Sequence, residues 1–345
     1  MRETDLRLEP GEASDLCRLE TPELLAERHW DRAFLTVLDD APAERCLVVL
    51  GHDASADPAE GWDAAAVSCS VAGDGAGETH DAEACARHDG FVWLFGSQYG
   101  GKEGPLDPAK SWVARVREDD VATAILGGPA APLEVARQGF ALHRALNDAL
   151  RDAPVDLIEL GPATRTSFID ATIDAGAPNV RPGDRPVNVE AAAFRASGGL
   201  LLGLRYPTGA GGQPLMVEIA DPASLLDSPA TPPATAGVWW LEGAGRAAEP
   251  AGVRGLHSDD GQRFDAVVGD VDVAEHPEGE GPGSVHVRFT LPARASDGGP
   301  LTLDASYDLA GERHVEGVAS ESDGHVHYVI DRDGQVALGT LMLGP

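Results

Sequence analysis

A chain of 345 residues with 57 acidic and 26 basic side chains has a formal charge of −31. It is long enough for a large core, but it has the wrong sign for non-specific binding to nucleic acid or an anionic membrane, which needs basic patches. Aromatics make up only 5% against 41 glycines and 25 prolines, which favours many short elements joined by turns over long helices.

The opening stretch, MRETDLRLEP, has no apolar segment of the signal-peptide kind, and the longest apolar run, GGLLLGLR, is too short to span a bilayer. The expectation is a soluble cytoplasmic protein. Its basic residues are nearly all arginine, with Lys102 and Lys110 the only lysines. The charge and that bias favour a halophilic source, where salt screens a dense carboxylate surface, over the alternative of a GC-rich genome. Cys17, Cys46, Cys69 and Cys85 show neither C-x-x-C nor zinc-type spacing and read as reduced thiols.

RAFLTVLDD and ERCLVVLGHD read as the first strands. In DAEACARHDGFVWLFGS, Glu83 sits among small residues, Asp89-Gly90 follows, and FVWLF comes next. Asp-Gly between apolar runs predicts a strand, a tight turn and a strand. PLEVARQGFALHRALNDALRDA sets Leu133, Ala136, Phe140, Leu146 and Leu150 near helical spacing behind Pro132. It predicts an amphipathic helix inserted around 132–152, covering a sheet edge or serving as a lid. The hairpin then returns three times: Glu190 with Ser197-Gly198, Arg254 with Asp260-Gly261, and Glu316 with Asp323-Gly324. SVHVRFTLPA and LTLDASYDL read as further strands, and AEHPEGEGPGS and SPATPPATAG as solvated connections.

Glu190, Arg254 and Glu316 follow one another at about 60 residues, and the gap from Glu83 to Glu190 is nearly double. One divergent unit in that gap gives a mean repeat of about 58 residues, a period that marks a β-propeller. The expectation is an all-β chain forming one propeller domain over residues 1–345, with six blades and five or seven as alternatives.

These segments carry a family resemblance. VNVEAAAFRASGGLLLGLRYPTGAGGQPLMVEI resembles the central motif of a bacterial propeller family known as a domain of unknown function, with Asn188, Glu190, Leu201, Leu202, Gly203, Arg205 and Pro207 at its characteristic places. DAEACARHDGFVWLFGSQYGGKEG and HVEGVASESDGHVHYVIDRDGQ resemble two further segments of that family. Ala84 and Ala191 depart from it, standing where the family has glycine after glutamate. The resemblance implies the propeller fold. A more distant similarity to esterase-like phytase propellers implies only a direction, toward ester hydrolysis.

In a propeller the first strand of each blade lines the central channel. Glu83, Glu190 and Glu316 are therefore expected to converge on the axis with Arg254 beside them. Such carboxylates form a candidate site for Ca²⁺ or Mg²⁺, since clustered carboxylates resist ionising together and hard cations take oxygen ligands. The structural alternative is that they are solvated by channel water or tie blade to blade through backbone N–H groups. Arg205 and Arg254 are candidate anchors for an anionic ligand, or partners of nearby glutamates. His80 and His314, just upstream of Glu83 and Glu316, are candidate ligand contacts at the channel mouth, while His325 and His327 share a strand face. GSQYG is not a nucleophile elbow, Lys102 lacks the phosphate-loop spacing, and TGAGGQP is not a dinucleotide fingerprint.

Three functions fit these residues. The leading one is a binding propeller that takes a small ligand, divalent cation or protein partner in the channel. The alternative is a metal-assisted phosphoester or ester hydrolase with Glu190 as base. The third is a scaffold with no ligand.

Overall fold

Four of the five blades begin with a hairpin whose turn is written in the sequence. Asp89 and Gly90 both take positive φ, 49° and 72°, which is the two-residue turn whose twist matches antiparallel strands. Gly198, Gly261 and Gly324 hold positive φ at the same place in three other hairpins. The computed structural model describes residues 1–8, 12–72, 78–101, 104–271, 283–292, 298–309, 311–332 and 335–343. Most of the AEHPEGEGPGS connection, and Lys102, lie outside the described residues.

The chain starts with strand β1 (Arg2–Asp5), which belongs to the last blade. Blade 1 is β2 (Ala13–Leu19), β3 (Trp30–Leu38), β4 (Leu47–Asp53) and β5 (Trp62–Ala66) in antiparallel order, with helix α1 (Pro22–Arg28) between β2 and β3. Blade 2 is β7 (Ala82–His88), β8 (Phe91–Gly96), β9 (Trp112–Arg117) and β10 (Ala131–Arg137), with the short β6 (Cys69–Val71) added parallel to β10. Blade 3 is β11 (Asn188–Phe194), β12 (Leu200–Tyr206), β13 (Leu215–Ile219) and β14 (Thr235–Glu242). Blade 4 is β15 (Ala251–His257), β16 (Arg263–Asp270), β17 (Val285–Thr290) and β18 (Gly299–Asp308), with β18 also pairing parallel to β14. Blade 5 is β19 (Val315–Ser320), β20 (His325–Asp331) and β21 (Val336–Met342), completed by β1 against β21. The two ends of the chain thus share one sheet, and the inner strands β2, β7, β11, β15 and β19 pack side by side in a closed ring.

Among the described residues the propeller has five blades. The divergent unit expected between Glu83 and Glu190 is not a blade: that interval holds β9, β10 and helices α2 (Glu118–Ile125) and α3 (Ala141–Asp152), then helical residues 162–174. The long gap is an insertion, and counting it as a repeat inflated the number to six.

The helix expected over 132–152 is half strand. Residues 131–137 form β10, where buried Ala131 and Leu133 and half-buried Val135 alternate with exposed Pro132 and Glu134 before Ala136 breaks the alternation. That period of two wins over the helical reading because β9 offers β10 a pairing edge. The chain turns at Gly139 and Phe140, both with positive φ, and only then becomes α3. Leu142, Leu146 and Leu150 of α3 enter the apolar core shared by blades 2 and 3, which seats the helix as a wedge.

One irregularity recurs in every blade. The pairing of each inner strand with its neighbour slips by one residue, at Asp15, Glu83, Glu190, Arg254 and Glu316 in turn. A bulge leaves that residue out of the ladder and re-aims its side chain. The residue after it is small in four of the five blades because the inner strands approach closely there. A Cβ on Gly317 would stand 2.7 Å from the Asp15 backbone, and one on Gly255 equally close to Gly317.

Candidate functional site

The bulges bring Glu83, Glu190, Arg254 and Glu316 to the channel, as the repeat predicts, together with a fifth residue that the repeat did not reveal. Asp15 is fully buried and takes positive φ, 53°. Its carboxylate crosses the axis and accepts N–H groups from three other blades: Cys85 at 3.2 Å, Ala192 at 3.2 Å and Leu256 at 3.5 Å, besides its neighbour Leu16 at 3.0 Å. Burial drives its proton affinity up and these donors oppose it. Tying blade to blade through backbone N–H groups, one role weighed for the glutamates, is performed by this aspartate. A signal existed: Ala13-Ser14-Asp15 repeats the spacing of Asp81-Ala82-Glu83 and His314-Val315-Glu316, with Asp in place of Glu.

Two of the three glutamates are neutralised by arginine. Glu190 Oε1 accepts from Asn188 Nδ2 and Arg205 Nη1, both at 2.8 Å, and its Oε2 lies 2.9 Å from Arg254 Nε. Arg254 also pairs with Glu316, at 2.8 Å from Nε and more closely from Nη2. Burial works to raise the Glu316 carboxyl, but Arg254 overrides it and holds the group below its usual range. Burial likewise works against the Arg254 charge, and Glu190 and Glu316 more than restore it. Arg205 and Arg254 are therefore partners of glutamates in this structure. The oxygens of Glu83, Glu190 and Glu316 do not gather within 4.8 Å of one another, so the three do not form a compact ligand set here.

Glu83 differs. Among the described residues its carboxylate accepts one hydrogen bond, from Ser14 Oγ at 2.9 Å. Burial, then the charges of Glu190, Asp81, Asp39 and Glu316, push its carboxyl well above the normal range. Further carboxylates crowd this end of the channel. Glu12, Asp39 and Asp40 place oxygens within 4.8 Å of one another. Asp81 accepts from Lys110 Nζ at 2.7 Å and is joined to Asp39 through the backbone. Asn188, 9% exposed, leaves its Oδ1 without a donor. Of the two candidate histidines, His314 lies close enough to Glu316 to help hold it ionised, whereas His80 is drawn 3.1 Å from Asp107. His327 is buried between Thr340 and Glu321, and His325 turns to Asp323.

Asp39 makes this crowding measurable. Burial, a hydrogen bond with Glu12 and the charge of Asp40 push its carboxyl up to about 8. The unfolded side chain loses its proton near pH 4, so between about pH 4 and 8 the folded state binds more protons and stability falls as pH rises. Asp39→Asn is expected to raise the melting temperature at pH 8 and to leave it nearly unchanged at pH 5. Equal shifts at both values would contradict this assignment.

No family model matches this chain and no curated protein matches it. Solved structures that align over nearly its whole length include the Cps50 (Swd1) β-propeller domain of Myceliophteria thermophila, at 10% identity, with 99% of this chain and 100% of that one covered and a TM-score of 0.35. An α-L-arabinanase of Cellvibrio cellulosa aligns at 12% identity, covering 99% and 93%, with a TM-score of 0.38. A glucose dehydrogenase aligns at 13% identity over 100% of both chains, with a TM-score of 0.39. At such identities and scores the fold assignment stands on this chain's own sheet topology, and no function is carried across.

Proposed function

We propose that this protein is a binding propeller whose acidic channel end takes a hard divalent cation, Ca²⁺ or Mg²⁺, with Glu12, Asp39 and Asp40 as the ligand set. The observation that carries the reading is geometric. These three carboxylates lie within 4.8 Å of one another, and Glu83, outside that distance, adds its charge to the same end and makes no ion pair with an arginine among the described residues. Glu190 and Glu316, first expected to be ligands, are already served by Arg205 and Arg254 and act instead as the fixed wall behind Glu83. Oxygen-only, carboxylate-rich sets suit Ca²⁺ and Mg²⁺.

The test is a calcium titration of EDTA-treated protein at pH 8, read by thermal melting. A ligand at 100 times its dissociation constant stabilises by about 2.7 kcal/mol, so a rise of several degrees is expected, lost in Asp40→Asn. A flat titration would remove the cation from the reading.

A second reading, metal-assisted hydrolysis of a phosphoester, has one observation in its favour. Glu83 holds its proton strongly while Glu316 on the same channel is kept ionised, and such a split can supply an acid and a base. Glu190, first expected to be the base, accepts from Asn188 and Arg205 and faces Arg254, so in this reading Glu83 is the acid and Glu316 the base. Turnover of a generic phosphoester in the calcium-loaded protein, absent in Glu83→Gln, would favour this reading.

A further inference from the structure

Past Asp15, in the direction the inner strands run from it, a separate cavity of about 120 Å³ opens on the far side from Glu12 and Asp39. Its wall is built from residues that follow the axial position in blades 1 to 4, among them Arg18, Arg87, Leu256, His257 and Asp259, with Glu20 at the end of β2.

Two donors in this wall are under-used. Arg18 approaches Glu20 and Asp259 only at 3.7 Å each, beyond hydrogen-bond length. His257 is 5% exposed, and its Nε2, 3.3 Å from Asp259 Oδ1, makes no aligned hydrogen bond. Arg87, by contrast, is engaged by Glu20 at 2.8 Å and by Glu118. The carboxylates of Glu20 and Asp259 are about half exposed, so each keeps acceptor capacity toward the cavity.

We propose that this far-side cavity binds a small zwitterion of the α-amino-acid kind, its carboxylate on Arg18 and its ammonium between Asp259 and Glu20. The charges decide the class. The lining sets Arg18 and Arg87 against Glu20 and Asp259, with buried Glu118 behind Arg87, so the wall carries both signs side by side. A simple anion that drew Arg18 away would leave two carboxylates beside it uncompensated, inside a protein whose net charge is already −31. A simple cation would leave Arg18 without its weak partners and nothing in return. A zwitterion replaces both at once: guanidinium pairs with carboxylate in a fork, and the ammonium's three donors meet the freed oxygens. The cavity has room for several waters, which matches a ligand of a few non-hydrogen atoms.

The experiment is a thermal-shift titration at matched ionic strength with glycine, acetate and methylammonium, on the wild type, Arg18→Ala and Asp259→Asn. Both positions are partly exposed, so the variants are expected to fold. Glycine should give a saturable rise in melting temperature, reduced at least tenfold in apparent affinity by either substitution. Acetate and methylammonium should give no saturable rise. Acetate saturating as well as glycine would make the cavity an anion site and overturn the proposal. A linear glycine response, equal in wild type and Arg18→Ala, would show general solute stabilisation and overturn it too.

Discussion

Asp15→Ala is expected to be among the most damaging single substitutions in this protein. The side chain is the only group among the described residues that hydrogen-bonds the inner strands of three other blades at once. Removing it leaves the buried N–H groups of Cys85, Ala192 and Leu256 without their acceptor. At about 1–3 kcal/mol for each buried donor left unpaired, and with some relaxation, the loss is about 3–5 kcal/mol. For a chain this long that lowers the melting temperature by roughly 4–7 °C. Asp15→Asn keeps the shape but turns an NH₂ group toward N–H donors, so it should recover only part of the loss. A melting temperature within a degree of wild type for both variants would show that the axis does not depend on this carboxylate.

Arg254→Met should cost as much, for a different reason. The guanidinium stands between Glu190 and Glu316, and its removal leaves two buried carboxylates facing each other with Arg205 alone to compensate. Taking one partner from a buried ion pair typically costs about 3–5 kcal/mol, mostly as the penalty on the charge left behind. Two consequences separate this from a packing defect. The Arg254→Met variant should regain stability as pH falls and the glutamates take up protons, and adding Glu316→Gln should recover part of the loss. Additive losses in the double variant would place the coupling elsewhere. The two substitutions act on neighbouring layers of one axis: Asp15 holds the strands together through the backbone, and Arg254 holds the charges that the bulges force inward.

Much of this architecture was legible in the residues. The Gly-containing turns after Glu83, Glu190, Arg254 and Glu316 named the hairpins, and their spacing named the propeller. The convergence of those four side chains followed from the repeat alone. Three things were not legible. The gap before Glu190 looked like a lost repeat because an insertion and a divergent blade have the same length. The stretch from Pro132 to Arg137 read as helix because seven residues fit either period, and the pairing edge of β9 is invisible from β10's own sequence. The Glu12, Asp39 and Asp40 group was missed because those residues come from a loop before one strand and the end of the next, and they meet only once β2 and β3 pair.

The sequence by itself determined the turns, the strand period and the repeat of an axial polar residue, because each of these is a property of a few neighbouring positions and their backbone preferences. Only the tertiary structure decided the count of five, the seating of α3, and which axial carboxylates keep their charge. Those outcomes depend on what the adjacent blade brings within a few ångströms: Arg254 beside Glu316, Ser14 beside Glu83, and three strangers' N–H groups around Asp15. Electrostatic balance in a buried site is set by neighbours far away in the chain, and no local pattern encodes it.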